Sequence, residues 1–96
     1  AIEVPFKTMK KSLASFEIIR AMAETGNPNS VSDAGVGALC ARSAVIGAYL
    51  NVKINAAGFK DKAYLEKILT EAEEIVNKAK QLEEEILYIV NKKIEG

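Results

Sequence analysis

Apolar residues recur along most of this chain at spacings of three and four, which is the period of an amphipathic α-helix. Near the start, four residues follow that spacing: Phe6, Met9, Leu13 and Phe16. Pro5 suits a first helical turn, and Gly26-Asn27-Pro28 supplies a stop. The pattern predicts helix one over about residues 5–25.

The strongest pattern lies in the last third of the chain. Eight apolar positions alternate spacings of three and four there: Leu65, Ile68, Ala72, Ile75, Ala79, Leu82, Ile86 and Ile89. The pattern predicts helix three over about residues 61–94, which is roughly 50 Å long. Helix one would reach only roughly 30 Å, so we expect part of the apolar face of helix three to need surface from outside these helices. The acidic run at residues 83–85 is interpreted as a solvated helical face.

Helix two is predicted over about residues 31–57. Ser30 followed three residues later by Asp33 matches a capping box, and an acidic side chain is favourable at the positive end of the helix dipole. Since no strand pattern or repeat is present, the sequence predicts an all-α fold of three long antiparallel helices. We expect residues 1–96 to be a single helical segment that forms part of a larger, oligomeric bundle.

Helix two carries two different apolar faces. One is a stripe of small residues that ends in two carboxamides: Gly37, Ala41, Ala44, Ala48, Asn51 and Asn55. This small-residue stripe is narrow enough for another helix to approach closely. Bulkier residues at neighbouring positions are expected to carry the packing: Val36, Leu39, Ile46, Leu50 and Ile54. Burying an Asn side chain without a partner costs about 1–3 kcal/mol, so the two amides imply either a hydrogen bond between helices or a polar ligand.

The composition excludes several classes of chemistry. The chain has no histidine, which excludes His-containing zinc sites, Ser-His-Asp triads and imidazole acid–base catalysis. Any catalysis must therefore use carboxylate, Lys, Tyr, amide or backbone groups. Cys40 is the only cysteine, which rules out an internal disulfide and fits a reducing compartment. We expect Cys40 to be a small buried hydrophobic residue in a cytoplasmic protein.

The charge pattern argues against two classes of partner. Residues 1–60 contain seven Lys and Arg against four Asp and Glu, and residues 61–96 contain six against nine. Neither part is basic enough for a nucleic-acid interface. The stretch 34–52 approaches the length of a membrane span, but Arg42 lies at its centre. We expect neither nucleic acid nor membrane as a partner, and residues 1–5 are interpreted as an extended lead-in instead of a signal peptide.

Four spaced motifs resemble one known family. They are A-I-E-V-P at residues 1–5, G-N at 26–27, S-D-x-x-V at 32–36 and G-A-Y-x-N-V-x-I-N at 47–55. In this order they resemble the C-terminal half of the cyclodeaminase domain of formiminotransferase-cyclodeaminase. The small bacterial methenyltetrahydrofolate cyclohydrolases share that domain. The resemblance extends over essentially all 96 residues.

The resemblance implies an all-helical homodimer that acts in folate one-carbon metabolism. Such enzymes either close 5-formiminotetrahydrofolate to the 5,10-methenyl form with loss of ammonia, a lyase reaction, or hydrolyse the methenyl form. A tetrahydrofolate derivative is then the expected substrate, and no metal is expected. The family's domain is about twice as long, and its first half carries a Gly-rich helix start and an acidic residue regarded as catalytic. Neither pattern occurs in this chain, so its catalytic residues stay unassigned and its expected partner is a companion N-terminal half or a second copy.

Four residues are candidates for orienting a ligand, and each has a simpler interpretation. Asp33 either caps helix two or faces the ligand as a carboxylate. Asn51 and Asn55 either orient folate nitrogens or fix the register of the bundle through a buried amide pair. Arg42 either binds the glutamate tail of folate or is an ordinary exposed helical arginine.

Two functions remain open at this point. In the first, the chain is part of a folate-dependent cyclodeaminase or cyclohydrolase and contributes dimerisation and ligand-orienting residues. In the second, it is a non-catalytic helical oligomerisation module that lacks the catalytic half of the family.

Overall fold

The computed structural model describes residues 2–96. Over this range the chain forms three α-helices: α1, Glu3–Thr25; α2, Pro28–Ala56; and α3, Lys62–Glu95. Short connections fold the helices antiparallel into a rod of 53 × 16 × 16 Å, and residues 2–96 contain no strand. The predicted all-α fold is confirmed. The larger, oligomeric bundle stays a prediction.

Helix α2 begins three residues earlier than predicted, because a different residue caps it. The Asn27 side chain accepts hydrogen bonds from the backbone N–H groups of Asn29 and Ser30, and Pro28 occupies the first helical position. Asp33 lies exposed more than a turn inside the helix. The predicted capping box that starts at Ser30 is therefore wrong.

A distant side chain holds the first helix junction, and a local one holds the second. Gly26 follows α1, and an added Cβ there would lie 2.7 Å from the carbonyl oxygen of Met22, so only glycine fits without a shift. The Nζ of Lys93 in α3 donates to the backbone carbonyl oxygens of Glu24 and Gly26. These bonds satisfy acceptors that the end of a helix leaves without an intrahelical partner. At the second junction, the Asp61 side chain accepts a backbone N–H from the first turn of α3.

The core runs along the whole rod, and the apolar face of α3 lies inside it. The buried residues of α3 are Leu65, Ile68, Ala72, Ile75, Val76, Ala79, Ile86 and Val90. Helix α2 reaches about 43 Å where α1 reaches only about 34 Å, so the two together cover α3 along most of its length. The expectation that part of the apolar face of α3 needs surface from outside is therefore wrong for the positions named from its pattern, while Tyr64, Tyr88 and Ile94 of α3 are exposed.

Exposed apolar side chains occur on all three helices, and α2 carries four of them along one side. The residues that α2 buries are Val31, Ala34, Gly35, Ala38, Ala41, Val45, Ala48 and Val52. Four of the bulkier residues expected to carry the packing face outwards: Val36, Leu39, Leu50 and Ile54 are 58, 46, 58 and 76% exposed. We call these four residues the α2 outer stripe. Because α2 is apolar on every side, its period does not reveal which side is buried.

Helix α2 also has the length and composition of a membrane span. Its mean hydropathy is 1.3 over an 18-residue window, of which 33% is buried in the bundle. A central helix of a soluble bundle has the same properties, so length and composition do not decide between the two settings. The expected absence of a membrane partner stays a prediction.

Candidate functional site

An open cavity lies where the first turns of α1 meet the second half of α2. Its volume is about 270 Å³, and its lining residues are Val4, Pro5, Thr8, Ala48, Asn51 and Asn55. We call it the amide cavity. The two carboxamides lie on adjacent turns because their spacing of four places them on one face of the helix. The structure thus brings together two of the four candidate site residues.

Most hydrogen-bond donors and acceptors of the two carboxamides have no partner among residues 2–96. The Asn55 Nδ2 donates to the backbone oxygen of Asn51 at 2.8 Å, which leaves the Asn55 Oδ1 available as an acceptor. The Asn51 carboxamide makes no hydrogen bond within residues 2–96, so it offers both a donor and an acceptor. Both side chains are exposed, and neither bonds to another helix. A buried amide pair that fixes the register of these three helices is therefore not what the structure contains.

A second cavity of about 450 Å³ continues from the first along the same two helices. Its lining residues are Thr8, Lys11, Ser12, Ser15, Ile19, Gly37, Cys40, Ala41 and Ala44. Thr8 lines both cavities, so they form one groove between α1 and α2, which we call the α1–α2 groove. Cys40 lies exposed in it, and the expectation of a buried thiol is wrong.

The small-residue stripe of α2 forms one wall of this groove. Helix α1 approaches it closely, since Ala41 and Ala48 are buried and an added Cβ on Gly37 would lie 3.6 Å from the Ile19 side chain. That distance is ordinary van der Waals contact, so the groove narrows near Gly37. The predicted close approach of another helix is found, and the partner is α1 of the same chain.

The other two candidate site residues lie elsewhere. Asp33 is 18 positions before Asn51 on α2, a separation of about 27 Å along the helix axis. Arg42 lies on the side of α2 that faces α3, where its Nε is 3.6 Å from Oε1 of Glu83. Within this one chain, the four candidates therefore do not form a single site, and their ligand roles stay predictions.

Two of the three consecutive glutamates on α3 are engaged by arginines. The Glu83 side chain is only 12% exposed and is paired with Arg42, and its Oε2 is buried without a hydrogen-bond partner in residues 2–96. Glu85 accepts hydrogen bonds from Gln81 and Arg20, and these lower the pKa of its carboxyl. The interpretation of residues 83–85 as a solvated face is therefore wrong for two of the three, because a helical period of 3.6 turns them to different sides.

Comparison with known proteins identifies the family. The sequence profile of the formiminotransferase-cyclodeaminase family matches residues 1–74. The chain is 36% identical over 94 residues to a methenyltetrahydrofolate cyclohydrolase of Methylorubrum extorquens, an alignment that covers 98% of this chain and 45% of that protein. It is 35% identical over 95 residues to a formimidoyltransferase-cyclodeaminase of Dictyostelium discoideum, which covers 99% of this chain and 18% of that protein. The chain belongs to the formiminotransferase-cyclodeaminase family.

This membership confirms the resemblance drawn from the sequence motifs. The chain spans less than half the length of each of these two members of the formiminotransferase-cyclodeaminase family. The profile match covers all of α1 and α2 and the first turns of α3. Every residue that lines the α1–α2 groove therefore lies in the part of the chain that matches the family profile.

The amide cavity can orient a ligand but cannot by itself move a proton. None of its lining residues carries an ionisable side chain. On α2, the nearest group with a shifted pKa is the Tyr49 hydroxyl. Its pKa is raised by partial burial and by the negative charge of Glu73. Tyr49 is half-buried on the side of α2 away from the groove, with the Lys53 ammonium 5.1 Å from its ring centroid.

The α1 side of the groove is the part that sequence reasoning missed. Thr8, Ser12, Ser15 and Ile19 follow spacings of four, three and four, which places them on one face of α1. That spacing is a usable signal, but it competes with the stronger apolar pattern on the neighbouring face of α1. Within residues 2–96, no three His, Cys, Asp or Glu side chains lie close enough to hold a metal ion.

Proposed function

We propose that this chain is part of a folate one-carbon enzyme, a formiminotetrahydrofolate cyclodeaminase or a methenyltetrahydrofolate cyclohydrolase, that acts in the cytoplasm. The observation that carries the proposal is the amide cavity, because it presents two adjacent carboxamides inside the segment that matches the family profile. A tetrahydropterin ring has amide-like edges that both donate and accept hydrogen bonds. Asn51 and Asn55 offer the complementary donor and acceptors.

In this proposal, the residues of the cavity act by positioning. In the deaminase reaction, N10 attacks the formimino carbon held on N5, and the carbon–nitrogen bond to the leaving nitrogen breaks. N10 loses its proton as the new bond forms, and the leaving nitrogen takes up two protons, a net one of them from solvent, and departs as ammonia. Holding N10 against the carbon converts a loose encounter into an oriented one, a large source of rate enhancement. These protons must be moved by a group outside the amide cavity, since its lining residues cannot titrate.

We assign that group to polypeptide beyond these 96 residues. The alignment leaves more than half of the Methylorubrum extorquens relative without a counterpart in this chain. The α2 outer stripe adjoins the groove and is apolar, as a surface that packs against another helix would be. A companion helical segment that covers this stripe would also close the open side of the groove. Such a segment would supply the half of the site that this chain lacks.

Calorimetric titration with 5-formyltetrahydrofolate, a stable one-carbon folate, tests the ligand role of the amides. We expect Asn51→Leu to weaken binding about tenfold, because the nearly isosteric side chain removes a donor and an acceptor. Asn77→Leu is the matched control, since Asn77 is exposed on α3 away from the groove, and we expect it to bind like the wild type. Both variants should keep the wild-type circular dichroism spectrum.

Two results would contradict the proposal. One is the absence of any binding by the wild type. The other is an equal loss of affinity in both asparagine variants, which would mean that the groove is not the site. Turnover of methenyltetrahydrofolate by these 96 residues alone, followed by absorbance, would contradict the statement that they hold only half a site.

A second candidate function is a helical oligomerisation module without chemistry, and the α2 outer stripe is the observation that favours it. Sedimentation equilibrium separates the possibilities. A mass that rises with concentration, together with protection of the exposed Cys40 thiol from a maleimide, indicates a second copy on this face. A monomer with a reactive Cys40 supports a companion segment as the partner. Oligomerisation together with no folate binding would replace the enzyme proposal by the module.

A further inference from the structure

The α1–α2 groove is chemically different at its two ends. Its amide end is uncharged, whereas the second cavity contains Lys11, the one charged side chain among the residues that line either cavity. No carboxylate lines the groove, and Lys11 forms no ion pair within residues 2–96. Lys11 is exposed, so its ammonium can attract an anion with an ion pair of modest strength that salt screens.

The middle of the groove suits a flat apolar group. Between the two asparagines and Lys11 the walls are formed by Ala48 on α2 and by Thr8 on α1, and Ala44 lines the same cavity as Lys11. Small side chains leave room there, and their methyl groups offer apolar contact without hydrogen-bonding demands. Asn55 and Ala44 are 11 positions apart, so this stretch of groove is about 16 Å long. The order along the groove is therefore amide, apolar, cationic.

We infer that the groove binds a reduced folate in one direction, with the pterin ring at Asn51 and Asn55, the aminobenzoyl ring over the alanines, and a glutamate carboxylate at Lys11. The inference rests on the proposed function and adds the orientation of the ligand and the residue that binds its anionic tail. Tetrahydrofolate presents the same three groups in the same order as the groove. Arg42, the arginine considered for this role from sequence, is on the other side of α2 and is paired with Glu83.

The test compares two ligands and two lysines. The ligands are 5-formyltetrahydrofolate and its dimethyl ester, which keeps the size of the tail and removes both carboxylate charges. We expect Lys11→Glu to weaken binding of the diacid about threefold to tenfold, because one partly screened ion pair is replaced by a repulsion, and to leave the diester unchanged. Lys11→Gln should give a smaller loss with the same selectivity. Lys67→Glu, the same charge change at an exposed position of α3, should alter neither affinity.

Salt supplies a second measurement on the wild type. Raising sodium chloride should weaken binding of the diacid more than binding of the diester, because the ion pair with Lys11 lies near solvent. In Lys11→Gln this difference between the ligands should shrink. Circular dichroism checks that each lysine variant keeps its helices.

The outcomes separate this inference from the proposed function. If the wild type binds the diacid and the diester equally and Lys11→Glu changes neither, the assignment of Lys11 is overturned while the amide cavity stands. If Lys11→Glu and Lys67→Glu weaken binding of the diacid by the same factor, the loss comes from the change in net charge and not from a contact with Lys11. The assignment of Lys11 is then again overturned. If the wild type binds neither ligand, the proposed function itself fails.

Discussion

Helices α2 and α3 have opposite surfaces, although both contribute to the same core. Helix α3 carries 14 charged side chains in 34 residues, and its outer side is a dense mixture of lysine and glutamate. Helix α2 carries three in 29 residues, and its outer side exposes the α2 outer stripe. The outer side of α3 is therefore mainly charged, whereas the α1–α2 side exposes apolar residues and is the side on which we propose a partner.

This difference explains where a site can form. A charged face gains little from binding, since each exposed ion pair contributes only about 0–1 kcal/mol. The α1–α2 side combines exposed apolar area with a few uncommitted polar groups, which is the usual composition of a ligand site or an interface. The four predictions below test this contrast, from the largest expected effect to the smallest.

The same substitution at an isoleucine on each side should give very different losses of stability. Ile86 is fully buried on α3, and Ile86→Ala should lower the free energy of unfolding by about 2–5 kcal/mol through lost contacts and a cavity. Ile54 is 76% exposed on α2, and Ile54→Ala should change it by less than about 0.5 kcal/mol in the monomer. Urea denaturation measures both. A large loss for Ile54→Ala would mean that the α2 outer stripe is already covered.

Removal of the Lys93 ammonium should destabilise the junction between α1 and α2. Lys93→Met keeps the apolar stem but leaves the carbonyl oxygens of Glu24 and Gly26 without this donor, at a cost of about 1 kcal/mol. Lys92→Met is the control, because the Lys92 ammonium contacts only the exposed ring of Tyr88 at 5.5 Å. Thermal unfolding should separate the two variants. Equal melting temperatures would contradict the role of Lys93.

Two glycines of α2 should respond differently to alanine. An added Cβ at Gly47 would meet nothing within 4 Å, so Gly47→Ala should stabilise the monomer by up to about 1 kcal/mol through helix propensity. An added Cβ at Gly35 would lie 3.4 Å from a methyl of Val90 in the core, so Gly35→Ala should gain less or lose stability. If Gly47→Ala weakens self-association or binding of a companion segment, a partner must pack closely against Gly47. That contact would explain why a glycine occupies this position.

Lowering the pH should reduce the stability of the bundle through Glu85, on the charged side formed by α3. Its pKa is lowered in the folded protein by hydrogen bonds from Gln81 and Arg20, so the carboxylate stabilises the fold above its unfolded pKa. That contribution is lost as the pH falls through the folded pKa. Glu85→Gln should therefore lose slightly less stability than the wild type on acidification, by urea midpoints measured across that range. Glu84→Gln, the same change at the exposed neighbour, is the matched control.

The fold was more predictable from sequence than the site, and the reason differs between helices. The apolar period of α3 has a clear polar opposite face, so six of the eight positions named from its pattern are buried, and the other two, Leu82 and Ile89, are partly buried against the core. Helix α2 is apolar on all sides, so the same reasoning placed Leu50 and Ile54 inside when they are outside. Two helix-start signals also lie close together in the sequence. Asn27 caps α2 and Pro28 is its first residue, so the helix has already begun before the capping-box pattern of Ser30 and Asp33.

The site was only partly predictable, because it depends on which sides of two helices meet. Spacing alone placed Asn51 and Asn55 together, and the structure contains that pair. Spacing on one helix could not place Thr8 and Lys11 of α1 beside them, since that requires the packing of α1 on α2. Nor could it show that Arg42 faces α3 and pairs with Glu83.

Nuclear magnetic resonance titration of the ¹⁵N-labelled protein with 5-formyltetrahydrofolate tests the central claim most directly. Asparagine side-chain amides lie both in the groove and on α3, so their signals can be compared in one titration. The account predicts shifts for the side-chain amides of Asn51 and Asn55 and for backbone amides near Thr8, with Asn77 and Asn91 on α3 unmoved. Shifts confined to the α3 amides, or no shifts at saturating ligand, would contradict it.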